Sequence, residues 1–262
     1  MKIKANGINI NYEIDGAEGA PVIVFSNSLA TNVHMWDDQA AELKRSFRVL
    51  RYDQRGHGGT DAPAGRYTFD VLIADALGLM DALGIKRAHF AGLSMGGATA
   101  LGFAQQHPER LDRIIVCDSP CMSTAQSTQQ WEERIAILEK SKAIDPLVEP
   151  TLERWFPAEI RAAKAPHVDK VRQMIKTTPV NGFIGCAAAL ANHNYNAKVE
   201  TVKTPVLFIA GEKDGVTPAA MKAMNERLKG STYVEMPGAG HISNMDRPAE
   251  FNRALREFLG VK

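Results

Sequence analysis

The sequence predicts an α/β fold in which helices cover both faces of a mainly parallel sheet. The first observation behind this prediction is a series of short apolar runs, which are typical of parallel strands buried on both faces. These runs lie at residues 21–25, 49–53, 88–91, 114–117 and 206–210. The second observation is that helical patterns fall between the runs, and such alternation favours this architecture.

Further elements follow from local patterns. Residues 8–14 alternate apolar and polar side chains, which predicts a half-buried antiparallel strand. The clearest helix begins after Thr68, a candidate N-cap, and stops near Gly84, because the apolar side chains between them recur at helical spacings. Thr217 is interpreted as the cap of another helix, and a last helix is predicted over residues 248–259.

The alternation of strands and helices breaks between residues 119 and 197. This stretch has no convincing buried strand, prolines divide it into short helices, and it holds Trp131 and Trp155. We therefore predict one domain with a helical cap at residues 119–197, inserted into a core made of residues 1–118 and 198–262.

Composition and charge exclude several classes of protein. The 262 residues are 45% hydrophobic and 23% charged, which excludes a disordered chain. A formal net charge of +1 gives no electrostatic reason to expect a nucleic-acid or membrane partner. No apolar run has the length of a signal peptide or a membrane span. Cys117, Cys121 and Cys186 are interpreted as buried reduced thiols, and together these features favour a cytoplasmic location.

A serine between glycines marks a candidate nucleophile. Residues 92–96 read Gly-Leu-Ser-Met-Gly, which is a G-x-S-x-G pattern directly after a strand-like run and before a helical one. A sharp turn in that context strains the backbone of the serine and exposes its hydroxyl at the sheet edge. The glycines let the strand and the helix approach each other closely. Ser94 is therefore predicted to be a catalytic nucleophile.

A serine hydroxyl needs a base, and that base needs an orienting acid. Asp214 follows the strand at residues 206–210, and His241 follows a strand-like run at residues 233–236. The chain order of Ser94, Asp214 and His241 is the one expected for this turn, and all three lie at one sheet edge. The sequence predicts a triad of these residues, with Asp118, at the end of an earlier strand, as the alternative acid.

Acyl transfer also requires hydrogen-bond donors for a developing oxyanion. One is predicted to be the backbone N–H of Met95, which directly follows the candidate nucleophile. The second is expected in the loop at residues 26–30, which follows the first apolar strand.

On these motifs the chain resembles the α/β-hydrolase superfamily over almost its full length, which implies an eight-stranded, mostly parallel sheet. Residues 53–58, Asp-Gln-Arg-Gly-His-Gly, look like the D-x-R-G-x-G turn of that superfamily. More narrowly, the chain is similar to the 3-oxoadipate enol-lactonases at residues 26–29, 92–97 and 240–244. Residues 153–156, Glu-Arg-Trp-Phe, also look like the lid of that family.

The oxyanion loop carries the most discriminating part of this resemblance. Asn27 and Ser28 stand where many members have His-Gly, and the N–H after that pair is the donor. The resemblance therefore implies Leu29 as the second oxyanion donor. Ala30 follows where glycine is expected, and much of residues 119–150 diverges from the family.

The resemblance implies hydrolysis of the enol-lactone of 3-oxoadipate, in aromatic catabolism, through an acyl-enzyme on Ser94 and without a metal or cofactor. Because that substrate carries a carboxylate, a basic group near the pocket is expected. Arg134 lies one turn beyond Trp131 on a predicted lid helix. Our hypothesis is that Trp131 and Trp155 wall the pocket and that Arg134 steers the carboxylate. The alternative is a solvated arginine with two tryptophans that only pack the lid.

Other functions stay open at this stage. A carboxylesterase, a perhydrolase, another lactonase or a carbon–carbon bond hydrolase uses the same triad, and a small-molecule receptor of this fold can retain it. Haloalkane dehalogenases and epoxide hydrolases are disfavoured, because they need a carboxylate where Ser94 stands. A purely structural protein gives no reason for the three residues to coincide. The sequence does not indicate an oligomeric state.

Overall fold

A computed structural model describes residues 1–261, and its centre is one eight-stranded sheet in the order β1-β2-β4-β3-β5-β6-β7-β8. The strands are β1 (Lys2–Ala5), β2 (Ile8–Asp15), β3 (Val22–Ser26), β4 (Arg48–Tyr52), β5 (Ala88–Leu93), β6 (Leu111–Cys117), β7 (Val206–Gly211) and β8 (Thr232–Met236). Strand β2 pairs antiparallel with β1 and β4, and the other neighbouring strands are parallel. The predicted fold class is confirmed. Lys262, the last residue of the predicted core, lies outside the described residues.

Helices cover the sheet and form the segment between β6 and β7. They are α1 (Asp37–Leu43), α2 (Phe69–Ala82), α3 (Met95–Gln106), α4 (Ala125–Ser141), α5 (Val148–Trp155), α6 (Ala158–Ala162), α7 (Pro166–Lys176), α8 (Val180–Asn192), α9 (Thr217–Arg227), α10 (Ser243–Asp246) and α11 (Pro248–Leu259). Short 3-10 helices lie at Val33–Trp36, Pro108–Arg110, Asp145–Leu147 and Asn196–Thr201. Within residues 1–261, no helix is long and apolar enough to cross a membrane.

The burial of the strands explains why most of them were recognisable. Every residue of β5 and β7 is buried, as the continuous apolar runs predict. Strand β2 buries Ile8 and Ile10 but leaves Asn9 exposed, which is the expected alternation of a partly covered strand. Strand β1 was not predicted, because it has only four residues, two of them lysines, and therefore shows no apolar pattern.

Local capping confirms one helix end and corrects another. The Thr68 side chain accepts a hydrogen bond from the N–H of Val71, and Gly84 has a φ of +70° just beyond α2. The prediction that Thr217 caps α9 is wrong, because Thr217 is itself the first helical residue. Its N–H donates to the carbonyl of Asp214, so the turn continues directly into the helix.

The five described helices between β6 and β7 occupy the region where the cap is predicted. Helix α4 starts with a capping box between Thr124 and Ser127. A bridge between Met122 and Asn194 joins the two ends of the segment at its base. These contacts support residues 119–197 as a cap, and the boundaries of the two parts stay a prediction.

Candidate active site

Ser94 lies in a strained turn between β5 and α3. Its φ is +56° and its ψ is −112°, which is an unfavourable conformation for any residue other than glycine. The two flanking positions must be glycine, because there is no room for a Cβ atom at either of them. A Cβ at Gly92 would lie 2.0 Å from the carbonyl oxygen of Gly96, and one at Gly96 would lie 2.2 Å from that of Ser26. The G-x-S-x-G pattern thus forms the sharp strand–turn–helix that the sequence predicts.

His241 and Asp214 meet at the same end of the sheet. The Nδ1 atom of His241 lies 2.7 Å from Oδ2 of Asp214, and both side chains are only 6% exposed. A carboxylate there favours the tautomer with hydrogen on Nδ1, which leaves Nε2 as an acceptor. Within residues 1–261, that Nε2 is buried and has no hydrogen-bond partner. Ser94 and His241 line one cavity, and no hydrogen bond joins them within the described residues.

The alternative acid, Asp118, bonds to other groups. Its Oδ1 accepts a hydrogen bond of 2.7 Å from the N–H of Gly211, and its Oδ2 accepts one from the Ser243 hydroxyl. Complete burial and the charge of Asp214 raise the pKa of Asp118 well above its usual range. The structure therefore places Asp214 at the imidazole of His241, and it uses Asp118 to tie the end of β7 to α10.

Two backbone N–H groups are the candidate oxyanion donors. Met95 is the first residue of α3, so its N–H has no acceptor within the helix and lies at the positive end of the helix dipole. Leu29 is buried in the loop after β3. In the described part of the chain, neither N–H has a hydrogen-bond acceptor. Both candidate donors are therefore unpaired, as stabilisation of an oxyanion requires.

The loop that carries Leu29 is held by a histidine whose role the sequence analysis missed. Ala30 has a φ of +57°, and its N–H donates to Nε2 of His57 at 2.8 Å. Burial lowers the pKa of His57 to about 4, so the ring is neutral at pH 7. Its Nδ1 donates to the carbonyl of Arg55 at 3.1 Å, which fixes the tautomer. The sequence signal that could have identified His57 is its position within the Asp-Gln-Arg-Gly-His-Gly turn.

Asn27, the discriminating residue of the oxyanion loop, has a structural role in the same loop. Its Oδ1 accepts a hydrogen bond of 2.8 Å from the N–H of Gln54. Its Nδ2 donates to the carbonyls of Ser28 and Thr31 at 2.8 and 3.0 Å. The side chain therefore crosslinks the loop internally and joins it to the turn after β4.

Replacing His57 with leucine is expected to loosen this loop. The change leaves the buried N–H of Ala30 without an acceptor and lowers the free energy of unfolding by about 1–3 kcal/mol at pH 7. It also lowers kcat, because Leu29 is adjacent to Ala30. Urea unfolding and steady-state kinetics measure the two effects. The matched control is His34→Leu, an exposed position where we expect a change below about 0.5 kcal/mol.

The pH dependence provides a second readout for His57. The pKa of His57 is lower in the folded protein than in the unfolded chain, so acid favours the unfolded chain. The stabilisation is complete above about pH 6.5 and is lost as the pH falls towards 4. The His57→Leu variant should not show this loss of unfolding free energy in acid. If the unfolding free energies of the two proteins fall in parallel as the pH is lowered, the assigned protonation state is contradicted.

The cavity beside Ser94 has a volume of about 190 Å³. Trp131 and Arg134 line it from α4, and the Arg134 guanidinium lies 4.5 Å from the centre of the Trp131 ring. Arg154 of α5 lines it too, although the sequence analysis assigned that residue no role. A larger hollow of about 420 Å³ between α2 and α8 includes neither Ser94 nor His241.

The prediction that Trp155 walls the pocket is wrong. Trp155 is only 2% exposed and stacks on the His241 ring, with 5.6 Å between the ring centres. The carbonyl of Trp155 also accepts the N–H of His241 at 2.8 Å. The physical reason is that α5 buries its apolar stripe, which includes Trp155. Trp155 therefore supports the back of the imidazole.

The donor chemistry of the site suits acyl transfer. Within residues 1–261, no cluster of three or more His, Cys, Asp and Glu side chains could hold a metal ion. The cavity is lined instead by a strained serine and a carboxylate-bonded histidine, and the unpaired N–H of Met95 directly follows that serine in the chain. Such a set can form and break an ester bond.

Comparison with known families identifies the class of this protein. The family model for the alpha/beta hydrolase fold matches residues 21–248, and the chain therefore belongs to that family.

Individual relatives narrow the class. The chain is 34% identical over 258 residues to 3-oxoadipate enol-lactonase 2 of Acinetobacter baylyi, covering 98% of this chain and 95% of the relative. The crystal structure of the enol-lactonase from Burkholderia xenovorans LB400 gives a TM-score of 0.94 at 36% identity, covering 99% of this chain and 100% of that one. The protein is thus an enzyme of the α/β-hydrolase class, and its relatives include hydrolases that act on an ester bond.

A further relative has a different assigned substrate. It is a protein of Pseudomonas syringae pv. syringae with the provisional name carbamate hydrolase RutD, and it is 29% identical over 248 residues. The alignment covers 93% of this chain and 95% of the relative.

Proposed function

We propose that the protein is a serine hydrolase that opens the enol-lactone of 3-oxoadipate to 3-oxoadipate, a step in aromatic catabolism. The observation that carries the proposal is the His241–Asp214 pair at 2.7 Å, beside a cavity lined by Ser94. The similarity to two enol-lactonases over nearly the whole chain supports the choice of substrate.

In the proposed acylation step, Nε2 of His241 takes the proton of the Ser94 hydroxyl while the oxygen attacks the lactone carbonyl carbon. Asp214 keeps hydrogen on Nδ1 and stabilises the imidazolium that forms. The carbonyl oxygen becomes an oxyanion and accepts hydrogen bonds from the N–H groups of Leu29 and Met95.

The tetrahedral intermediate then collapses and breaks the ring C–O bond. The leaving oxygen is an enol oxygen, which leaves more readily than an alkoxide, and it takes the proton back from His241. The enol stays attached to the acyl-enzyme and tautomerises to a ketone. A water molecule then gives a proton to His241 and attacks the acyl carbon. The bond between that carbon and the Ser94 oxygen breaks, the Ser94 oxygen takes the proton back from His241, and the product acid leaves.

The enol-lactone carries a carboxylate outside the reacting ring, and Arg134 is the residue proposed to steer it. Arg134 lines the cavity and, within residues 1–261, has no acidic partner. Stacking on Trp131 holds the guanidinium in place and leaves its N–H edges free for an anion.

A steady-state screen tests the proposed substrate. The panel contains the 3-oxoadipate enol-lactone, neutral lactones, short-chain esters and a simple carbamate. We expect kcat/KM to be highest for the enol-lactone. A preference for short esters points to a carboxylesterase, and a preference for the carbamate points to the activity of the RutD relative. Tight binding of a ligand without turnover contradicts a hydrolase and supports a receptor.

Arg134→Ala tests the steering role separately. We expect kcat/KM for the carboxylated enol-lactone to fall by roughly 30-fold or more, because a desolvated charge pair is lost. The fall in kcat/KM for a neutral lactone of the same ring size should be smaller, since only the packing on Trp131 changes. An equal loss for the two substrates contradicts the steering role.

A further inference from the structure

Arg154 is a second cation in the cavity, and it comes from a different helix than Arg134. Helix α5 buries an apolar stripe, and Arg154 lies outside that stripe near the helix end. Its side chain is exposed and lines the cavity together with Ser94 and His241. An anion bound beside the serine is therefore within the space that Arg154 borders.

No acid within residues 1–261 forms an ion pair with Arg154, although the charge of Asp214 acts on it from a distance. Its guanidinium lies 5.9 Å from the centre of the Trp155 ring. The largely buried arginines Arg51 and Arg55 differ in this respect, because Arg51 contacts three carboxylates and Arg55 contacts Asp75.

The other residues that line the cavity do not provide a negative charge to pair with Arg154 either. Asp118 is the one acidic residue among the described residues that line it, and hydrogen bonds from Gly211 and Ser243 occupy its two oxygens. The other polar lining residues, which include Ser127 and Gln130, contribute no further carboxylate. Among the residues that the structure describes, the cavity therefore has two arginines without an ion pair and no carboxylate that lacks hydrogen-bond partners.

This arrangement is electrostatically unfavourable while the cavity contains no anion. Arg134 and Arg154 are both cations at neutral pH, because a guanidinium loses its proton only far above pH 7. Two like charges that border one cavity repel each other, and an anion that bridges them removes this repulsion.

We propose that Arg134 and Arg154 form an anion clamp that holds the free carboxylate of the substrate, with Arg154 as a specificity-determining residue. The inference rests on the proposed hydrolase function and narrows its substrate class to lactones and esters that carry a carboxylate near the reacting carbonyl. Guanidinium groups suit this role, because their paired N–H donors match the two oxygens of a carboxylate.

Two aryl esters of similar acyl length test the clamp. p-Nitrophenyl butyrate is neutral, whereas mono-p-nitrophenyl glutarate carries a carboxylate at the end of its acyl chain. We expect the wild-type protein to prefer the glutarate ester. In Arg154→Gln, the ratio of kcat/KM for the glutarate ester to that for the butyrate ester falls by roughly 30-fold or more.

The matched control is Arg253→Gln, which removes the same charge from an exposed position on α11 outside the cavity. This variant should leave the ratio of the two esters at its wild-type value. A similar fall in Arg253→Gln and Arg154→Gln shows that net charge, and not the clamp, sets the preference.

A binding measurement tests the clamp without relying on turnover. Glutarate is titrated calorimetrically into Ser94→Ala, with and without the added Arg154→Gln change. We expect the second change to weaken binding by roughly tenfold or more, and salt to weaken it further. Equal glutarate affinity in the two proteins overturns the clamp.

The two measurements separate the clamp from the proposed function. If the wild-type protein hydrolyses neither aryl ester nor the enol-lactone, the hydrolase proposal fails, and the glutarate titration still decides the clamp. If it hydrolyses both aryl esters and Arg154→Gln leaves their ratio unchanged, the clamp fails and the hydrolase proposal stands.

Discussion

Ser94→Ala is expected to lower kcat for the enol-lactone by about 10⁶-fold, because it removes the atom that forms the acyl-enzyme. The free energy of unfolding should change little, since serine and alanine have a similar strain at the φ of +56°. Steady-state kinetics and urea unfolding measure the two quantities on one preparation.

The control for this prediction is Ser119→Ala, another serine that lines the cavity but lies outside the strained turn. We expect this variant to lose less than about tenfold in kcat/KM. A Ser94→Ala protein that folds normally and keeps near-wild-type turnover would overturn the proposed mechanism.

Asp214→Asn has the second largest expected effect, a fall in kcat of about 10⁴-fold. An asparagine at this position can donate its amide hydrogen to Nδ1 of His241, which forces hydrogen onto Nε2 and removes the base. The geometry is otherwise retained, so the loss is expected in kcat while the folded state persists. Far-ultraviolet circular dichroism checks the fold beside the kinetics.

Asp118→Asn is the matched control, because it makes the same isosteric change at a buried carboxyl nearby. Its effect on kcat should be far smaller, since Asp118 contacts Gly211 and Ser243 and not the imidazole. An asparagine can accept the Gly211 N–H and donate to the Ser243 hydroxyl. Equal losses in Asp118→Asn and Asp214→Asn contradict the assignment of Asp214 as the triad acid.

The parts of the fold that were predictable are those with a local physical signature. The buried strands β3 to β7 are short apolar runs, and α2 has a capping threonine before its start and a glycine with positive φ beyond its end. Strand β1 has no such signature, because its order comes from pairing with β2. The start of α9 was predicted one residue too late, since the turn from Asp214 continues into α9 without a side-chain cap.

The candidate site was only partly predictable for a related reason. Three features of the sequence indicate Ser94, Asp214 and His241: the residue types, their order in the chain and their positions after strands. Strand-end positions are informative because parallel strands bring their carboxyl ends to one edge of the sheet. They leave Asp118 open as the acid, since it also follows a strand. The distance of 2.7 Å between Asp214 and His241 comes from how the loops after β7 and β8 pack together.

By itself, the sequence determined the α/β class, the family resemblance and the residues at the edge of the sheet, because these depend on local periodicity and chain order. Only the tertiary structure shows which face of α5 borders the cavity. Arg154, and not Trp155, lies on that face. The tertiary structure also joins Ala30 to His57. Both outcomes depend on contacts between segments far apart in the chain, for which local sequence patterns carry no signal.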